Sequence, residues 1–209
     1  MKHILTITGA SGSGKDTLVD CLLCLNHNEP ENIPPLALEF CDQWHPYVAL
    51  RELVSHTTRL PRDGEKEGSA YYFVDFDTFE EIEKVEETEY AGNHYCLSAN
   101  ELANIEDDGW GVVIVDQHGR ECIENFVSSH KEEYSLTSIF LTITPEKSEA
   151  RMKFRGDKPA AIAKRLAQQI ERNEYVPADE SKYQLILSSS DEQSLYDNVM
   201  KVQDFLIHN

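Results

Sequence analysis

Apolar residues along this chain gather in short continuous runs separated by segments of helical period. Ile4-Leu5-Thr6-Ile7-Thr8, "GVVIVD" at 111–116, "LTSIFLTIT" at 136–144 and "YQLILS" at 183–188 are the runs. Each has strand length and is apolar on both faces, the pattern of a strand covered on both sides. Residues 15–25, 145–155, 159–175 and 191–207 read as helices, with Gly156 and Pro159 breaking the second from the third. A short strand is expected near Leu53–Thr58, another in "YYFVDF" at 71–76, and a helix over Thr78–Glu86. Residues 26 to about 48 carry Pro30, Pro34, Pro35 and Pro46 and read as an irregular excursion. Alternation of apolar strands with helices predicts an α/β fold with a parallel core sheet covered on both faces.

Composition narrows the function. The 209 residues, 40% of them apolar, suffice for one α/β domain with a sizeable core. Lys and Arg total 19 against 38 Asp and Glu, a formal charge of −19, which excludes a general nucleic-acid binder. Acidic pairs such as Glu80-Glu81 and Glu86-Glu87 read as solvated surface. An anionic ligand then requires a local gathering of positive charge. No apolar stretch approaches a membrane span, and Met1-Lys2-His3 leads into a strand without a signal-peptide core. Five cysteines without regular spacing point to a reducing, cytoplasmic setting.

One such gathering begins at "GASGSGKDT", residues 9–17, which fits G-x-x-x-x-G-K-[ST] at every position except the last. Gly9, Ser11, Gly12, Ser13 and Gly14 form a loop whose backbone N–H groups can turn onto phosphate oxygens, and the following helix offers its positive end. Lys15 would reach the β- and γ-phosphates of ATP. Asp16 stands where a hydroxyl binds magnesium; a carboxylate is a hard-oxygen ligand and can replace it, with Thr17 as a neighbouring hydroxyl. The pattern therefore calls for ATP and Mg²⁺, and Asp16 makes the loop lean more heavily on the metal.

A second gathering is "SHTTRLPRDGEKEGSAYYF", residues 55–73. Arg59, Arg62 and Tyr71 offer two guanidinium forks and a phenol, a set suited to another phosphate. Taken singly, Arg59 would be a solvated basic residue and Tyr71 a core residue. A third lies in "ARMKFRGDKPAAIAKRL" at 150–166, where Arg151 and Arg155 are one helical turn apart and Arg165 follows in the next helix. Arginines on a movable segment can close over a transferring phosphoryl group. Asp116 ends an apolar strand, where α/β sheets place ligand-contacting residues. It is suited to hold the metal's water shell or orient the acceptor, and equally to cap a helix.

Residues 55–73 resemble the nucleoside-monophosphate site of guanylate kinases, in which Ser, Thr-Thr-Arg, Pro-Arg, Gly-Glu and Tyr recur in this order. The resemblance extends to the glycine loop, "ETEYAGNHYCLS" at 87–98, "VVIVDQHG" at 112–119 and the segment 150–166. It implies a P-loop fold forming a single domain. The core would comprise 1–53 and 101–209, with an acceptor-binding lobe at about 54–100 and a lid at about 150–165. It further implies that Arg59, Arg62 and Tyr71 bind the GMP phosphate, that Ser55 and Glu89 face the guanine, and that Tyr95 lines the same pocket. Glu87 is the alternative at the guanine position. Lys15, Arg151, Arg155 and Arg165 would be the catalytic cations.

The chain departs from the family pattern at Cys96 and Leu97, which replace a small residue and a hydroxyl, and at Ile114, which replaces an acidic residue. The implied partners are nucleotides, with no nucleic acid and no membrane, and a homodimer is left open. A kinase of another phosphorylated acceptor is the nearest alternative: a modified or other deoxynucleotide, or ribose 1,5-bisphosphate. A non-catalytic interaction module of the same shape is a second. Cys21, Cys24 and His27, with Cys41 and His45 beyond, have a spacing that could ligate zinc, although cysteines beside Leu22 and Leu23 are ordinarily core residues.

Overall fold

The computed structural model describes residues 1–26, 47–62, 64–69, 71–90, 92–189 and 192–209. Its centre is a five-stranded sheet of β1 (Lys2–Thr8), β2 (Leu50–Glu52), β7 (Trp110–Ile114), β8 (Tyr134–Thr142) and β9 (Leu185–Ser188). The spatial order is β2-β7-β1-β8-β9, and every pairing is parallel. All four apolar runs of the sequence are strands of this sheet. Ile4, Leu5 and Ile7 are fully buried, as expected where helices cover both faces.

One face packs against α1 (Lys15–Leu25) and α7 (Glu192–His208), which bury Leu18, Leu22, Val199 and Val202 together with Leu5, Ile7, Val112 and Ile139. Cys21 and Cys24 belong to this core cluster, so the zinc spacing yields to packing there. His27, Cys41 and His45, with most of the 26–48 excursion, lie outside the described residues. No group of residues that could hold a metal by His, Cys, Asp and Glu occurs among the described ones. The other face carries α4 (Gln117–Ser129), whose Ile123 is buried with Ile4, Val113 and Val115.

Residues 56–98 form a second sheet, ordered β4-β3-β6-β5, from β3 (His56–Thr57), β4 (Tyr72–Phe73), β5 (Lys84–Tyr90) and β6 (Asn93–Ser98). Here two expectations fail. The strand of "YYFVDF" shortens to β4 because Asp75 accepts from Thr78 N and caps α2 (Phe76–Glu81). The helix expected to reach Glu86 stops at Glu81, and β5 begins at Lys84. Antiparallel pairing with β6, residue by residue from Glu86↔Leu97 to Tyr90↔Asn93, outweighs the local helical pattern.

The chain then runs through α3 (Ala99–Ala103), capped by Ser98, to β7. After β8 come α5 (Pro145–Phe154) and α6 (Pro159–Glu171), each opened by a proline in its first turn. Gly156, at φ 86°, makes the turn between them.

Candidate active site

The loop at 9–14 leaves the C-terminal end of β1, the central strand of the parallel sheet and the usual ligand edge of such sheets. Gly9 sits at φ 145°, and a Cβ there would collide with the Leu141 carbonyl, so only glycine lets the loop lie this close to β8. Gly14 precedes α1 at φ 90° and supplies no side-chain cap, which leaves the first helical N–H groups available to an anion. The Ser13 hydroxyl is buried beneath the loop without a hydrogen-bond partner among the described residues.

Lys15 curls back over the loop, its Nζ donating to Gly9 O at 2.7 Å and Ala10 O at 3.0 Å. Burial draws its pKa below the ordinary lysine value, while Asp16 and Glu174 pull the other way. Asp20, one turn beyond Asp16 on α1, is pushed up to about 6 by partial burial and by the Asp16 charge. The local excess of carboxylate around the loop suits a divalent cation. Uncapped N–H groups, an orphaned hydroxyl, a half-buried ammonium and hard-oxygen donors together fit a magnesium–triphosphate pair.

Two cavities flank this loop. The first, about 760 Å³, is lined by Ser11 to Leu18, by Arg151, Phe154 and Arg155 of the α5 end, by Arg165 and Gln168 on α6 and Arg172 just past its end, and by Ser189, Leu195 and Asn198. The second, about 710 Å³, is lined by Ser55, Arg59, Arg62, Tyr71, Thr88, Tyr95 and Asp116. They meet at Ser11, Lys15, Asp16, Tyr71 and Glu174, which border both.

The arginines of 150–166 are distributed over different tasks. Arg151 donates to Gly12 O at 3.0 Å, Ser189 Oγ at 2.8 Å and Ser189 O at 3.1 Å, tying α5 to the glycine loop. Ser148 reinforces the tie by donating from its hydroxyl to Ser11 O at 2.7 Å, a role no motif announces. Arg155 and Arg165 both pair with Asp157, at 2.6 and 2.9 Å. Arg172 and Glu174, which sequence reasoning passed over, also reach the first cavity.

In the second cavity, Arg59 is held by a bidentate pair with Glu65, at 2.8 and 3.0 Å, and lies over the Tyr71 ring at 5.3 Å. Tyr71 packs edge-on against Tyr95 with centroids 5.7 Å apart. Asp116 lines the cavity and also caps α4, accepting from Gly119 N at 2.8 Å.

Glu89 requires correction. Side chains alternate along β5, and the cavity-facing set contains Glu86 and Thr88. Glu87 and Glu89 are exposed on the opposite face, where Glu87 meets His94 at 3.3 Å. Glu86, read from sequence as solvated, is only 8% exposed and lies within the cavity. Burial, then the charges of Asp116 and Glu87, push its pKa up to about 7. Period-two alternation from Tyr95 across the hairpin was the signal that could have found it. Gly119 keeps the space open, since a Cβ there would come within 3.2 Å of Glu86 Oε2. Cys96 and Leu97 are fully buried and are not among the residues that line the cavity; Leu97, paired opposite Glu86, packs behind it with Leu53, Val113 and Val115.

A family model described as guanylate kinase matches residues 46–209. A guanylate kinase of Trichormus variabilis is 34% identical over 88% of this chain and 81% of its own length. The chain belongs to the guanylate kinase family. A guanylate kinase of Trichodesmium erythraeum is 31% identical, the match covering 98% of this chain and 96% of that protein. The crystal structure of guanylate kinase from Anaplasma phagocytophilum shares the fold, with a TM-score of 0.59 at 21% identity over the whole of this chain and 85% of that one. As a member of this family the chain has the parallel P-loop core, and none of its described helices is long and apolar enough to cross a membrane.

Proposed function

We propose that this protein transfers the γ-phosphoryl group of ATP to GMP or dGMP. The observation that carries the reading is the junction of two cavities at Lys15: one beside the phosphate loop and the lid arginines, the other lined by Arg59, Arg62, Tyr71 and Glu86. In-line transfer would set donor and acceptor phosphates on either side of that cation, and the shared border of the two cavities supports this reading. The reading divides the chain into a core of 1–53 and 101–209, an acceptor lobe at about 54–100 and a lid at about 150–165.

Lys15 would exchange its two carbonyl partners for the β- and γ-phosphates. Asp16 and Thr17 would hold Mg²⁺, which when bound neutralises donor-phosphate charge. Arg59, kept in place by Glu65, and Arg62 would fix the acceptor phosphate with Tyr71. Arg155 and Arg165 would leave Asp157 for the transferring group. No general base is needed, because the acceptor phosphate is already a nucleophile. Glu86 would accept from guanine N1–H and the N2 amine, with Ser55 and Tyr95 lining the same pocket. The buried thiols Cys21, Cys24 and Cys96 suit a reducing, cytoplasmic setting.

A coupled ADP-release assay across all ribo- and deoxynucleoside monophosphates tests this. GMP and dGMP are expected to be the preferred acceptors; preference for dTMP or a ribose phosphate would refute the guanine assignment. Asp16→Asn is expected to raise the magnesium concentration giving half-maximal rate, with Asp16→Ser close to wild type. Identical magnesium titrations for all three would make Asp16 a bystander.

A further inference from the structure

Packing holds the helix α6 weakly. Of its thirteen residues, Ile162 and Gln169 are the buried ones. Its C-terminal end is closed instead by hydrogen bonds. Asn173, at φ 52°, turns the chain out of the helix, with Asn173 N donating to Ile170 O at 3.2 Å and Glu174 N to Gln169 O at 2.9 Å. The Tyr175 hydroxyl donates to Gln169 Oε1 at 2.9 Å, so residues 173–175 continue α6 as one unit. This unit brings Arg165, Gln168 and Arg172 to the first cavity and Glu174 to the border of both.

Gln117 fastens that unit to the core. It is the first residue of α4 and directly follows Asp116 of the acceptor cavity. Its Nε2 donates to Asn173 O at 3.0 Å and to Val176 O at 3.2 Å, and its Oε1 accepts from Ala178 N at 2.6 Å. Both amide donors and the amide carbonyl thus engage the backbone of 173–178. Bonds within reach of water add little to stability, because water replaces each of them in the unfolded chain. What these three fix is place. A displacement of about 1 Å at a group that orients reacting phosphates can cost about 10²-fold in rate. We propose that Gln117 is a positioning residue, which holds 173–178 so that α6 presents Arg165 to the donor side and Glu174 stays at the Lys15 junction. This rests on the phosphotransferase reading above.

Gln117→Met in the full-length protein keeps the reach of the side chain and removes all three bonds. It is expected to lower kcat by about 10- to 100-fold, while calorimetric Kd for GMP alone stays within about 2-fold of wild type. Amide hydrogen exchange across 173–178 should speed by about 10-fold or more, with β1 and α1 unchanged. Tm should stay near wild type. Gln117→Glu keeps the bond from Ala178 N but turns a carboxylate toward the Asn173 and Val176 carbonyls, and it should be impaired as well. A methionine variant with wild-type kcat overturns the positioning role. So does a loss of kcat accompanied by lower Tm and faster exchange throughout the core, which marks a structural role. A rise in Kd for GMP that matches the fall in kcat overturns it too, since Gln117 would then touch the acceptor. Wild-type protein inactive on every nucleoside monophosphate sinks the phosphotransferase reading itself, whereas an active wild type with an unimpaired variant sinks the positioning role alone.

Discussion

Lys15→Ala is expected to lower kcat by about 10²- to 10³-fold with ATP and GMP, the usual cost of removing one preorganised charge-stabilising group. Lys15 stands where the two cavities join, its half-buried ammonium held by the Gly9 and Ala10 carbonyls. Exchange of those carbonyls for phosphate oxygens would set the ammonium where negative charge builds between donor and acceptor. The substitution removes no packing from the core cluster, so circular dichroism and Tm should stay near wild type. An alanine variant with near-normal kcat and intact fold would remove the catalytic assignment of the loop.

Glu86→Gln is expected to lower kcat/KM for GMP by about 10- to 100-fold, the worth of charge-assisted hydrogen bonds lost from a buried site. Guanine presents two donors on one edge; an ionised carboxylate accepts from both, whereas a neutral acid or an amide accepts from one. Because the Glu86 pKa is pushed up to about 7, the wild-type KM for GMP should fall as pH rises through about 7. The glutamine variant should lack that dependence.

Stability should move the opposite way. The carboxyl is raised from 4.5 when unfolded to about 7 when folded, so between these values the unfolded chain holds fewer protons. The folded state therefore loses stability as pH climbs through that window. The glutamine variant should gain on the order of 1–3 kcal/mol at pH 8 relative to wild type and differ little at pH 4.5. Urea midpoints at the two pH values measure it. Loss of stability at pH 8 would mean that Glu86 is structurally paired and not poised for a ligand.

The sequence by itself determined the parallel core, the glycine loop and the Arg59–Tyr71 segment. Each is a contiguous stretch whose chemistry is set by neighbours along the chain: an apolar run, then glycines at fixed spacing, then a lysine opening a helix. The family resemblance rested on the same contiguous stretches. Where function depended on which face of an element a side chain takes, sequence was silent. "EETE" at 86–89 offers three carboxylates within four positions, and only pairing with β6 turned Glu86 inward and left Glu87 and Glu89 in solvent. The same holds for the arginines. Arg151 and Arg155 look equivalent at one helical turn, yet the first locks onto Gly12 and Ser189, brought from opposite ends of the chain by the order β1-β8-β9. Tertiary structure decided these assignments because burial and charge pairing depend on neighbours distant in sequence. Moving a carboxylate from water into a cavity beside Asp116 changes its pKa while leaving its local sequence untouched.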